Sequence, residues 1–175
     1  MPHSSKHQQG SVAIELAALF AVFFVTFYAI LAYSIPMLLT LSFRQISADA
    51  ARATIKVDPA AANYTQAVSQ EVTETINASW LPDKWRDGGC PAPDNNDWAA
   101  LPGSPSYGYF RVDNGLPGDP RYLLHVCLQR KYNRSGADNE IAIIPPLDLL
   151  IFSVPSLPTD KNGDTILRGQ SVIRL

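Results

Sequence analysis

Between Glu15 and Arg44 the chain carries no charged side chain for 28 residues, and Leu16–Leu41 alone holds 22 apolar residues out of 26. No other feature constrains the fold as tightly. At about 1.5 Å of rise per residue, 26 helical residues reach about 39 Å, against a hydrocarbon core of about 30 Å. A helix that is apolar on every face over that length has no polar side to turn to water, so it is expected to cross a membrane at about 16–41. A cleaved secretory signal is the rival reading, but its apolar core should run about 7–15 residues behind a basic segment. Here the run is far longer, Lys6 is the only basic side chain before it, and Glu15 abuts it. The small-x-small triplet Ala48-Asp49-Ala50 keeps cleavage beyond the run as an alternative.

The remaining residues have an ordinary, rather polar balance and suffice for one compact domain. No second apolar run approaches 18 residues, which excludes a polytopic transporter. With 14 basic and 16 acidic side chains interspersed, a net charge of −2 offers no footprint for nucleic acid. Cys90 and Cys127 are the only cysteines, and neither lies in a CxxC pair. Two lone cysteines in a loop-rich domain fit a disulfide formed in an oxidising compartment, with two unrelated buried thiols as the alternative. Counting basic residues alone, Arg44, Arg52 and Lys56 against Lys6 would place the C-terminal side in the cytoplasm. Asp49 and Asp58 dilute that signal, and the cysteines point the other way.

The junction before the apolar run is the most informative stretch: Gln8-Gln9-Gly10-Ser11-Val12-Ala13-Ile14-Glu15. A lone carboxylate at the mouth of a transmembrane helix is costly and is usually retained for a partner. Cleavage after Gly10 would create an ammonium at Ser11, one helical turn from Glu15, and the two charges would offset each other's desolvation. Glu near a helix N-terminus is also favoured by the macrodipole.

These residues resemble a class III signal peptide, the substrate of prepilin peptidase. The small Ser11 is unlike type IV pilins and type II pseudopilins, and the pattern is similar to the TadE/TadF-like minor pseudopilins of the tight-adherence (Flp-type) pilus branch. Ser47-Ala48-Asp49-Ala50-Ala51-Arg52-Ala53 resembles the small-residue, Arg-bearing helix continuation of TadE-like proteins. The resemblance covers roughly residues 8–55 and departs from the branch at Leu16, where an aromatic is common. It implies a leader over 1–10 cut between Gly10 and Ser11, and a helix over 11–57 in which Glu15 serves assembly. It further implies a periplasmic domain over 58–175, held by a single pass in the bacterial inner membrane. The implied partners are prepilin peptidase, other pilin and pseudopilin subunits with the Tad assembly machinery, and the lipid bilayer.

Beyond the run the expected fold class is α+β: the long helix, one further helix and an antiparallel sheet. Pro36 should kink the first helix, which continues to about Lys56 with Ile46, Ala50, Ala53 and Val57 at helical spacing. Asp58-Pro59 reads as a helix start, followed by an apolar stripe of Tyr64, Ala67/Val68, Val72, Ile76 and Trp80. Breakers crowd 82–106, predicting an irregular loop. Tyr107–Val112 and Arg121–Tyr132 read as a hairpin across Asp113–Pro120. Ile141–Ile144 and Leu147–Val154 suggest edge strands, and Thr165–Leu167 with Ser171–Leu175 a short C-terminal strand.

No chemistry-bearing motif emerges from this part. His125 sits in a strand pattern without a nucleophile motif and reads as a core or face histidine. Zinc-ligand spacing and phosphate-cradling glycine loops are absent from the sequence. Asp160–Asp164 alternates oxygen side chains as a calcium loop would, but its glycine is out of place; like Asp94–Asp97 it reads as a solvated turn. Arg130, Lys131 and Arg134 read as a solvated strand end. Neither enzyme activity nor a cofactor or metal is expected. The expected role is assembly of a tight-adherence pilus or related secretion system; the alternatives are a signal-anchored periplasmic binding or adhesion domain and, less favoured, an extracytoplasmic hydrolase using His125.

Overall fold

A computed structural model describes residues 9–93, 97–113, 121–133, 148–149, 152–153 and 165–175. The uncharged run becomes part of one helix, α1 (Gln9–Ala53), which tightens into a 3-10 turn at Thr54–Lys56. Its 45 residues span about 68 Å, longer than either a bilayer or a small domain needs. The two ends of α1 meet different surroundings. From Val12 to Phe24 every side chain is exposed, whereas Pro36, Leu39, Phe43, Ile46, Ser47, Ala50, Ala51 and Thr54 are buried. Those positions recur at three- and four-residue intervals, so one stripe of the C-terminal half faces the domain. Pro36 does not end the helix; it lies on the buried stripe, and its carbonyl accepts a hydrogen bond from Thr40 Oγ1 at 2.9 Å.

The second helix, α2 (Tyr64–Asn77), runs back along α1. Lys56 Nζ meets Glu71 Oε1 at 2.6 Å near one end of the pair, and Ile46 and Asp49 lie beside Thr75 and Trp80 near the other. Asp58-Pro59 does not start this helix. Asp58 Oδ1 accepts from the Ala60 N–H at 2.9 Å and its carbonyl from the Ala61 N–H, so Asp58 caps a separate turn. Tyr64, Val68, Val72 and Ile76 are buried as their spacing requires, but Trp80 is not part of that stripe. The helix ends at Asn77, the chain swings out, and Leu81 fills the core in its place.

The sheet is antiparallel in the order β1-β2-β3-β6, with β1 Ala99–Ala100, β2 Gly108–Asp113, β3 Arg121–Asn133 and β6 Thr165–Arg174. β2 and β3 pair as the turn chemistry predicts, with Phe110 opposite Leu124; the connection at 114–120 lies outside the described residues. The two-residue β1 falls in the stretch read as loop, where Ala-Ala gives no strand signal. β6 corrects the expected short, broken C-terminal strand: it is continuous and pairs along β3 from Thr165 to Arg174, with one irregularity at Lys131/Asn133. β4 (Asp148–Leu149) and β5 (Phe152–Ser153) form a separate two-stranded pair, so this part of the expected edge strand folds on itself; the Ile141–Ile144 expectation lies outside the described residues. The chain is therefore α+β, with α1 and α2 laid over one face of the sheet. Phe43, Val68, Val72, Ile76, Leu124, Val126, Leu128 and Leu167 build the core between the layers.

Candidate functional site

Two features stand out: the bare head of α1, and the contact that fixes its other half to the sheet. Gly10, Ser11 and Glu15 all lie within the first two turns of α1. Ser11 and Glu15 are four residues apart along α1, about one helical turn. Glu15 is exposed. The nearest charged side chain towards the domain is Arg44, 29 residues on, or about 44 Å along the axis. The 18-residue apolar window of this helix has a mean hydropathy of 2.3 and none of it is buried against the domain, so among the described residues there is one helix long and apolar enough to cross a membrane. That helix and the disulfide fit a single-pass membrane protein.

The contact with the sheet centres on Gly169 in β6. A Cβ at this position would overlap the Phe43 carbonyl carbon and the Arg44 nitrogen, so only glycine lets the helix backbone lie this close. Ser47 Oγ, fully buried, donates to the Gly169 carbonyl at 3.1 Å and ties helix to strand across 122 residues of sequence. The isolated glycine inside a strand pattern was the available signal for this close approach.

Cys90 and Cys127 are joined, with Cα atoms 6.3 Å apart. The bridge staples the loop after α2 to the face of β3 turned away from the helices. Tyr109 Oη donates to the Cys90 carbonyl at 2.6 Å, and the Gln129 side chain donates to the Gly88 carbonyl at 3.0 Å. Both thiols are consumed, leaving no free cysteine as a nucleophile.

His125 lies on the same face under this loop. It is 4% exposed, with the Trp98 ring 6.0 Å and the Tyr109 ring 6.3 Å away. Among the described residues its Nδ1 has no hydrogen-bond partner. Burial holds the imidazole below its usual pKa; a hydrogen bond with the Gln170 side chain raises it, and the Arg168 charge lowers it further. A neutral, enclosed imidazole held by aromatic rings is the arrangement of a packed histidine. Arg130 departs from the expected solvated strand end: it is buried, its guanidinium sits 4.5 Å over the Trp85 ring, and its Nη1 donates to the Lys84 carbonyl at 3.1 Å. Arg134 and the Asp160–Asp164 segment lie outside the described residues, as do positions 94–96 of the acidic turn, whose Asp97 is exposed. Among the described residues there is no group of three or more His, Cys, Asp or Glu side chains placed to hold a metal. Comparison with family models, with curated proteins and with solved structures finds no match to this chain.

Proposed function

We propose that this chain is a TadE/TadF-like minor pseudopilin, processed by prepilin peptidase between Gly10 and Ser11, that acts in assembly of a tight-adherence (Flp-type) pilus or related secretion system. The observation that carries this reading is the placement of Glu15: a single carboxylate five residues beyond Gly10, at the uncovered head of an uncharged run on a helix whose other end is built into a folded domain. Its work is assembly rather than catalysis. Processing frees the Ser11 amine one turn from a carboxylate, in the same chain or a neighbouring subunit, and a charge pair there offsets the cost of holding Glu15 at the membrane edge. The apolar faces from Val12 to Leu31 are then free to bundle with other helices.

The Cys90–Cys127 bridge supports an oxidising, periplasmic side for the domain, with α1 anchored in the inner membrane. The test is N-terminal sequencing of the mature chain from its native host. Ser11 is the expected first residue, and a chain beginning upstream of it refutes the reading. Gly10→Ala should block processing, whereas Glu15→Ala should permit cleavage and weaken incorporation. Unchanged piliation in a deletion strain would favour a signal-anchored adhesion domain instead.

A further inference from the structure

The apolar run and the domain overlap along α1. On the buried stripe the domain already covers Pro36, Leu39 and Phe43, while on the opposite side Met37 (67% exposed), Leu38 (62%) and Leu41 (51%) stand bare among the described residues. Large apolar side chains in this number, continuous with a membrane-spanning run, fit a hydrocarbon surrounding, which puts the hydrocarbon boundary near Leu41. Fitting Leu16–Leu41, about 39 Å long, into a core of about 30 Å calls for a tilt of about 40°, the upper end of the range for such helices. The domain therefore starts below the level at which the helix leaves the hydrocarbon, so no stalk separates it from the membrane surface.

Trp80 lies at the next level up. It lines an open groove of about 410 Å³ with Gln45, Ile46 and Asp49 of α1 and Thr75, Ala78 and Ser79 of the α2 end, and it is 68% exposed. Ile46 is five residues past Leu41, about 7.5 Å along the axis and about 6 Å along the bilayer normal at that tilt, and the headgroup layer is about 5–8 Å deep on each side. An indole at that depth places its ring in the layer where its apolar body and polar N–H are both satisfied. Asp49, the carboxylate lining the groove, meets Arg52 Nη1 at 3.7 Å, so its charge is offset within α1.

We propose that the domain is seated in the headgroup layer of the bilayer that α1 crosses, with Trp80 as its interfacial anchor. This rests on the membrane-spanning part of the functional reading and holds whichever side of the membrane the domain occupies. The test uses the full chain and a Trp80→Phe variant, each reconstituted into phosphatidylcholine vesicles containing lipid brominated either high on the acyl chain or near its end. The expected result is a loss of tryptophan emission in the wild type with the shallow bromolipid, much reduced with the deep one and absent from Trp80→Phe. Because Trp80 is not part of the core, the variant should retain its fold, checked by near-ultraviolet circular dichroism. Vesicle flotation after an alkaline wash separates the two layers of the argument. A protein that floats yet shows equal quenching in both forms overturns the seating alone, as when another copy's helix covers Met37 and Leu41. A protein that does not float overturns the span and the seating together.

Discussion

Replacing Gly169 with alanine should loosen the whole helix–sheet contact. The added Cβ would sit well inside 3.0 Å of three atoms: the Phe43 carbonyl carbon, the Phe43 Cβ and the Arg44 nitrogen. Two of these are backbone atoms, so no side-chain rotation relieves the overlap; the helix must lift or β6 must shift. Overpacking of this kind costs about 1–3 kcal/mol. Lifting α1 also stretches the buried 3.1 Å bond from Ser47 Oγ to the Gly169 carbonyl, a loss of about 1 kcal/mol. The total of about 2–4 kcal/mol, at about 4 °C per kcal/mol for a domain of this size, corresponds to a fall in Tm of about 8–16 °C. The assay is thermal unfolding of the full chain in detergent, followed by the near-ultraviolet tryptophan signal, which reports the domain and not the apolar end of α1. A second readout is limited trypsinolysis, since a lifted helix should speed cleavage at Arg44 and Arg52, both on the docked half of α1. A variant that melts within about 2 °C of the wild type and is cut no faster would refute the claim that the glycine sets the helix–sheet distance.

Two further outcomes concern the face of the sheet turned away from the helices. Reducing the Cys90–Cys127 bridge, which closes a 37-residue interval, should cost about 4 kcal/mol on the chain-entropy model; an unchanged Tm in the Cys90→Ser/Cys127→Ser variant would contradict a structural role. The depressed pKa of His125 gives a pH dependence with a definite sign. The unfolded chain takes up a proton near the ordinary value of 6.5 and the folded chain only at lower pH, so His125 contributes stability that is complete above that value and is lost as the pH falls below it. Denaturant midpoints measured downward from neutral pH should decline, and His125→Gln should remove that part of the slope; an identical slope in both proteins would count against it.

The parts of the fold legible in the sequence were those in which a single signal was over-determined. An uncharged apolar run leaves α1 no alternative, and the hairpin of β2 and β3 is fixed jointly by strand alternation and turn chemistry. Where the expectation failed, local preference and tertiary context disagreed. Asp58-Pro59 has the chemistry of a helix start, yet its side chain is satisfied by the Ala60 N–H in a turn of its own, and α2 begins at Tyr64. Trp80 continues the helical spacing from Ile76, but spacing does not register that the helix ends at Asn77. The expected C-terminal strand was broken between Leu167 and Ser171, the interval that holds Gly169, and glycine weakens isolated strands. In the folded chain it is the residue the strand needs, since the helix backbone occupies the space a side chain would take. A requirement set by a partner 122 residues away has no local trace beyond the glycine itself.

The same contact bears on what happens to α1 after synthesis. Cleavage after Ala50, the secretory alternative, would leave a domain lacking Pro36, Leu39, Phe43, Ile46, Ser47 and Ala50, all of them buried. Phe43 is completely enclosed, and truncating such a side chain alone costs about 3–5 kcal/mol. A domain of this size has only about 5–15 kcal/mol of net stability, so losing the stripe as a whole would leave β6 and α2 without the layer they pack on. Cleavage after Gly10 removes nothing from that core, because the buried stripe begins 26 residues further on. From Pro36 onward the helix is therefore part of the domain's core, and an N-terminal cut that leaves that core intact has to fall before Pro36, as the proposed cleavage after Gly10 would. An anchor that could be discarded would not be built into the core it carries.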